Sequence, residues 1–137
     1  MGTRETTDSP MVGGEWIRRD GDLVALTISR CRNCNSSWFP PREICSTCAS
    51  DNVEQTVSAN HGTAYASTVV RIGPAAFEPP YVLAYVDISG VRVLAHVDAD
   101  EALVPGTPVE FRVGKIGSDK NGAFSSYLVA ETAGGAR

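Results

Sequence analysis

The sequence predicts a mainly β protein in two parts, a zinc ribbon followed by a five-stranded barrel of the OB type. Three observations carry that expectation. Cys31 and Cys34 form one Cys-x-x-Cys pair, and Cys45 and Cys48 form a second close behind it. From Thr63 to Glu131, apolar runs rich in β-branched residues alternate with Gly, Pro and Asp turn signals. No part of that region carries a convincing helix pattern.

The bulk properties narrow the class. With 137 residues and 42% hydrophobic content, the chain suits one ordinary domain, or a small one with a ribbon attached. Its formal net charge of −4 lacks the overall electrostatic footprint of a nucleic-acid binder. No apolar run approaches the roughly 20 residues a membrane span needs. Met1–Pro10 is polar, so no secretory leader is expected, and the cysteines are read as reduced in the cytoplasm.

Taken in order, residues 1–22 read as a flexible N-terminal tail with Pro10 and Gly13-Gly14 in its middle. Within it, Trp16 and Ile17 break the polarity, and Arg18–Asp22 reads as a charged turn. Trp16 is expected to cover an edge of the ribbon or core. The ribbon spans 23–55. Leu23–Ser29 is a strand feeding Cys31, and Asn35–Ile44 leaves room for one short strand and a return. Pro40-Pro41 forces extended backbone there. Trp38 and Phe39 cannot both be buried in so small a knuckle, so at least one should pack on a neighbouring domain or chain.

Asp51–Asn60 is expected to be a polar joint. The barrel spans 56–131, with strands at Thr63–Ile72, Tyr81–Ile88, Val91–Val97, Val109–Ile116 and Phe124–Glu131. Val82, Ala84, Val86 and Ile88 share one face, as do Val91, Val93, Ala95 and Val97. Ser89-Gly90 is a tight two-residue hairpin connection. Gly73–Pro80, Asp98–Pro108 and Gly117–Ala123 read as loops. Residues 132–137 form a frayed Gly/Ala-rich end. An SH3-like barrel or a small sandwich would give a similar string of strands.

Two Cys-x-x-Cys hairpins bring four thiolates to one point, the geometry Zn²⁺ takes in closed structural sites. Two disulfides are the alternative, disfavoured in a reducing compartment. Iron is the rival metal, because a tetrahedral sulfur site accepts either. With Cys31, Cys34, Cys45 and Cys48 all as ligands, no position stays open for water or substrate, so the metal is structural.

Candidates for chemistry are few. His61 reads as a turn histidine and His96 as an outward-facing one. Asp87, Asp98, Asp100 and Glu101 sit at strand ends and loops. No P-loop, G-x-G-x-x-G, G-x-S-x-G or H-E-x-x-H motif is present. An enzyme acting alone is not expected. The rival class is a single-stranded nucleic-acid module, since ribbons and OB barrels both serve that purpose. Tyr65, Tyr81, Tyr85, Phe111, Phe124 and Tyr127 would supply stacking rings, but Arg71, Arg92, Arg112, Lys115 and Lys120 are scattered and acids outnumber bases 16 to 12.

The knuckle Cys31–Cys34, the step Phe39-Pro40-Pro41-Arg42, the pair Cys45–Cys48 and Ser50 together resemble the DUF35 family. Gly62-Thr63, Pro80-Tyr81, Asp87-Ile88-Ser89-Gly90 and Pro105-Gly106 extend the likeness through the barrel, so that it covers roughly Leu23 to Glu131. Asn35 stands where the family usually has Gly, and Ser46 where it has Pro. Asn tolerates the left-handed backbone a knuckle requires. Met1–Asp22 lacks the helical pattern of the family's usual N-terminus.

The resemblance implies a rubredoxin-like zinc ribbon plus an OB fold, in a non-catalytic partner of thiolase- or ketoacyl-synthase-like enzymes. It implies that acyl-CoA is handled through the complex, in lipid or polyketide metabolism, with the partner supplying the catalytic groups. The residues expected to meet the partner or the acyl-CoA are Trp38, Phe39, Arg42, Arg71, Phe77 and Lys120. Of these, Arg42, Arg71 and Lys120 are candidates for a phosphate.

Overall fold

A computed structural model describes residues 11–132; the first ten residues and residues 133–137 lie outside the described part, and with them much of the expected tail and the frayed end. The described chain is β throughout apart from one 3₁₀ turn at Gly14–Trp16, and none of its helices is long and apolar enough to cross a membrane. Its strands are β1 (Ile17–Asp20), β2 (Leu23–Cys31), β3 (Ser37–Trp38), β4 (Val53–Val57), β5 (His61–Val70), β6 (Tyr81–Ile88), β7 (Val91–Val97), β8 (Pro108–Asp119) and β9 (Gly122–Glu131).

β2 organises the first sheet. β1 pairs with its first half, while β4 and β3 pair with its second half, all antiparallel. Residues 11–22 therefore correct the expectation of a flexible tail. The turn in that stretch is narrower than expected, at Gly21-Asp22, and Gly21 takes the positive φ of 66° that closes it. Val53–Val57 likewise corrects the expected joint: it is a strand against Thr27–Cys31. The linking segment shrinks to Ser58–Asn60, and it is tied down. Ser58 Oγ accepts the Leu26 N–H at 2.9 Å, and the Ala59 N–H donates to Ser89 Oγ at 2.9 Å.

The remaining strands close a five-stranded barrel in the order β5-β6-β7-β9-β8, with β7 and β9 parallel. Strands β6 and β7 fall where the sequence places them, and their alternate residues are buried as the period of two requires. Ser89 and Gly90, at φ 48° and 85°, make the hairpin turn between them. The expected loop Gly117–Ala123 is a correction. β8 and β9 stay paired through Asp119↔Gly122, so the connection is only Lys120-Asn121.

The two sheets share one core. Val24, Leu26 and Ile28 of β2 pack with Val82, Val86, Val93, Val109, Phe111 and Val129 of the barrel. Each such side chain removed from water stabilises the fold by about 2 kcal/mol. A ribbon and a barrel that bury their apolar faces together hold fixed the groove between them.

Candidate functional site

The two knuckles are built alike. After Cys34 and Cys48 the chain turns through Asn35 and Ala49, at φ 67° and 64°. Asn35 N–H donates to the Cys31 carbonyl and Ala49 N–H to the Cys45 carbonyl, both at 2.8 Å. The return bonds run from Cys31 N–H to Ser36 O at 2.8 Å and from Cys45 N–H to Ser50 O at 2.9 Å. The buried hydroxyl of Ser29 accepts the Arg42 N–H at 3.0 Å and holds the intervening loop to β2.

This places the four sulfurs within 4.8 Å of one another, with Cys31 Sγ–Cys48 Sγ at 3.7 Å and Cys34 Sγ–Cys45 Sγ at 3.6 Å. A disulfide would need about 2.05 Å. Four sulfurs about 2.3 Å from one ion sit about 3.8 Å apart. The donor set fits a single tetrahedral metal ion. Its surroundings favour the thiolate at Cys45 and Cys48, whereas at Cys31 the pull of the Cys34 N–H is outweighed by burial and by the neighbouring Cys48 and Cys34 thiols, which push that thiol up. The Cys48 N–H, then the Thr47 N–H at 3.3 Å, draw the Cys45 thiol down to about 6. The side-chain amide of Asn33, 3.5 Å from Cys48 Sγ, lowers that thiol as well. Cys31 and Cys45 are buried, which leaves Cys34 and Cys48 as the open side of the cluster.

The other sequence-selected residues do not converge on one point. Phe39 lies half-buried against the core, edge-on to Trp16 and Tyr127 with ring centres at 5.9 Å in both cases. Trp38 stays on the ribbon, where the Arg42 guanidinium lies 4.9 Å from its ring centre and its buried Nε1–H has no acceptor. Arg71, just past β5, and Lys120, in the turn between β8 and β9, are both exposed. Phe77 is brought to His96 at 4.9 Å and to Phe124 at 6.1 Å. It gets there because the Gly73–Pro80 loop folds over β8. Ser118 N–H donates to Ala76 O at 2.9 Å, and a Cβ on Gly117 would lie 2.6 Å from that oxygen and 2.8 Å from the Phe77 ring.

Between the ribbon loop, the barrel wall and the chain around Trp16 runs an apolar groove of about 540 Å³. Trp16, Phe39, Phe77, Leu94, His96 and Tyr127 give it its character. Sequence reasoning selected Phe39 and Phe77 but missed Trp16 and Tyr127 as members. No local signal links them: Trp16 and Tyr127 each meet Phe39 from distant parts of the chain.

No catalytic constellation forms among the described residues. His61, with its side chain 51% exposed, lies 3.8 Å from Glu110 Oε1, and Glu110 is also held by Arg112. His96 is on the outer side of β7, as its alternation predicts, but half-buried under Phe77 and Tyr81. That burial pushes its pKa down.

A family model described as the ChsH2 rubredoxin-like zinc ribbon domain matches residues 18–54, and one described as the ChsH2 C-terminal OB-fold domain matches residues 54–114. A DUF35 domain-containing scaffold protein of Methanocaldococcus jannaschii is 32% identical over 101 residues, which cover 71% of this chain and 71% of that protein. A scaffold protein of the same description from Pyrococcus furiosus is 34% identical over 112 residues, covering 78% and 82%. The benzoylsuccinyl-CoA thiolase subunit BbsA of Geobacter metallireducens is 31% identical over 85 residues, covering 61% and 58%. Among solved structures, the Ltp2-ChsH2(DUF35) aldolase superposes with a TM-score of 0.56 at 27% identity, over 78% of this chain and 84% of that one. A rubredoxin-like ribbon with a four-sulfur cluster, joined to an OB-fold barrel and matched over most of the length of two scaffold proteins, makes this chain a member of the DUF35/ChsH2 family.

Proposed function

We propose that this chain is a non-catalytic accessory subunit that docks on a thiolase- or ketoacyl-synthase-like enzyme and helps bind its acyl-CoA substrate. The reaction served is acyl transfer, C–C bond formation or retro-aldol cleavage, in lipid or polyketide metabolism of the cytoplasm. One observation carries the reading. Among the described residues the fold gathers its reactive thiols into one four-sulfur knot, and between the ribbon loop and the barrel it presents a substrate-sized apolar groove without a nucleophile–base pair. Relatives described as scaffold proteins and as a thiolase subunit support the docking role.

Zinc is the metal we assign to Cys31, Cys34, Cys45 and Cys48, rather than iron. When bound it crosslinks the two knuckles rigidly and leaves no open coordination position. Trp38 and Arg42 on the ribbon, Phe39 and Phe77 at the groove, and exposed Arg71 and Lys120 are the residues we assign to partner or acyl-CoA contact.

The nucleic-acid reading has less support. Arg32, Arg92 and Arg112 are each paired with a carboxylate of Glu54, Asp87 or Glu110, and Phe111 is wholly inside the core. A tagged pull-down from native extract tests the proposal. Recovery of a thiolase-fold enzyme is expected. Recovery of single-stranded nucleic acid, or of no enzyme of that fold, contradicts it.

A further inference from the structure

The turn between β8 and β9 leads through Lys120-Asn121 into Gly122, the one Asn-Gly step in the chain. Asn121 and Gly122 are both exposed there. The Asn121 N–H donates to Asp119 Oδ1 at 2.8 Å, while its side-chain amide has no partner among the described residues. Gly122 takes a φ of 117°, and a Cβ built on it would meet nothing within 4 Å. Glycine brings no side chain of its own, so the Asn121 side chain has open space to swing over the Gly122 nitrogen.

The other asparagines are held. Asn33 Nδ2 donates to Cys48 Sγ at 3.5 Å. Asn35 donates its N–H to the Cys31 carbonyl, and the Ser36 carbonyl after it accepts the Cys31 N–H, both at 2.8 Å. Asn52 Oδ1 accepts from Arg32 at 3.3 Å; the next residue is β-branched Val53, whose N–H is tied to the Asp51 carbonyl at 2.9 Å. The Asn60 carbonyl accepts the Phe111 N–H at 3.0 Å, and His61 after it opens β5.

We infer that Asn121 is a site of spontaneous covalent modification, converting in the folded protein to isoaspartate and aspartate ahead of every other asparagine. Solvent takes the proton of the Gly122 amide. The Gly122 nitrogen then attacks Asn121 Cγ, the Cγ–Nδ2 bond breaks, and ammonia leaves a five-membered succinimide behind. Water opens that ring. Cleavage at Cγ gives aspartate, and cleavage at the main-chain carbonyl gives isoaspartate. One water enters, one ammonia leaves, and nothing is oxidised.

Either product adds a carboxylate to a turn where Asp119 and Lys120 balance in charge near neutral pH, so the turn becomes net negative. Isoaspartate also adds a methylene to the main chain of a connection that holds Asp119 opposite Gly122, and the end of the hairpin must loosen to take it. Lys120, assigned above to partner or acyl-CoA contact, adjoins the change. No part of this chemistry depends on that assignment.

The test incubates the full-length, zinc-loaded chain in heavy-oxygen water, in mildly alkaline and in mildly acidic buffer. Peptide mass spectrometry then locates the change, and an isoaspartyl methyltransferase with labelled S-adenosylmethionine counts isoaspartate. The expected first product carries one heavy oxygen at position 121, with isoaspartate in excess of aspartate and faster conversion in the alkaline buffer. Asn121→Ser should abolish the early mass gain while leaving the melting midpoint in place, since the side-chain amide holds nothing. Denaturant should raise conversion at Asn35 more than at Asn121, because unfolding frees the knuckle and the turn is already open.

No mass gain at position 121 in the folded chain overturns the inference. So does earlier conversion of another asparagine, aspartate formed without isoaspartate, or a rate of mass gain unchanged in Asn121→Ser. If Asn121 reacts only once denaturant is present, the folded turn protects it, and the inference equally falls.

Discussion

Asn35 and Ala49 occupy equivalent places in the two metal knuckles. Each follows a second cysteine, each takes a left-handed backbone, and each donates its N–H to the first cysteine's carbonyl at 2.8 Å. The backbone requirement is identical, yet the residues meet it unequally. Asn tolerates that conformation through its short polar side chain, whereas Ala has no such compensation. Ala49→Gly should therefore stabilise the metal-loaded protein by about 1 kcal/mol, and Asn35→Gly should gain less. Chemical denaturation of both variants checks the order; a destabilising Ala49→Gly would refute it.

Removing one ligand should cost far more. Cys45→Ser takes away the thiolate most favoured by its surroundings, so stoichiometric metal is lost and the ribbon unravels. Because Val24, Leu26 and Ile28 lie in the shared core, the barrel should lose stability with it, and not melt as an independent unit. Elemental analysis with thermal unfolding reads both effects. Retention of stoichiometric metal, or an unchanged midpoint, would contradict the account.

Gly117→Ala probes the seat of the Gly73–Pro80 loop. The added methyl meets the Ala76 carbonyl and the Phe77 ring at distances no Cβ adopts, so the loop must lift. A loss of about 1–3 kcal/mol is expected, with the hairpin β8–β9 intact. The lifted loop should also expose His96, which can be followed by the histidine's proton resonances as pH is varied.

His96 gives the fold a pH dependence of known sign. Burial lowers its pKa below the ordinary 6.5, so the unfolded chain binds the proton more readily than the folded one. Its contribution is fully present above the unfolded value and is lost as pH falls from about 7 through the depressed folded value. His96→Phe should flatten that part of the stability curve. A wild-type protein whose stability rises on acidification through this window would contradict the assignment.

The metal centre was legible because four like residues at fixed spacing admit few geometries, and Ser89-Gly90 with its flanking alternation was legible for the same reason. Ile17–Asp20 and Val53–Val57 were not. Arg18-Arg19-Asp20 reads as charge, and Val-Glu-Gln-Thr-Val is short and half exposed. Both become strands by borrowing hydrogen bonds from β2, a partner no local pattern reveals. The groove escaped notice for a related reason. Trp16, Phe39, His96 and Tyr127 come from four separate segments, and only the docking of ribbon on barrel brings them together.

Reconstitution puts the accessory role to its most direct trial. The purified chain, the thiolase-type enzyme it captures, and the two mixed would each be assayed for turnover of acyl-CoA thioesters. The account predicts no turnover by the chain alone and a clear gain when it joins the enzyme. Turnover by the isolated chain, or an enzyme indifferent to its presence, would contradict it.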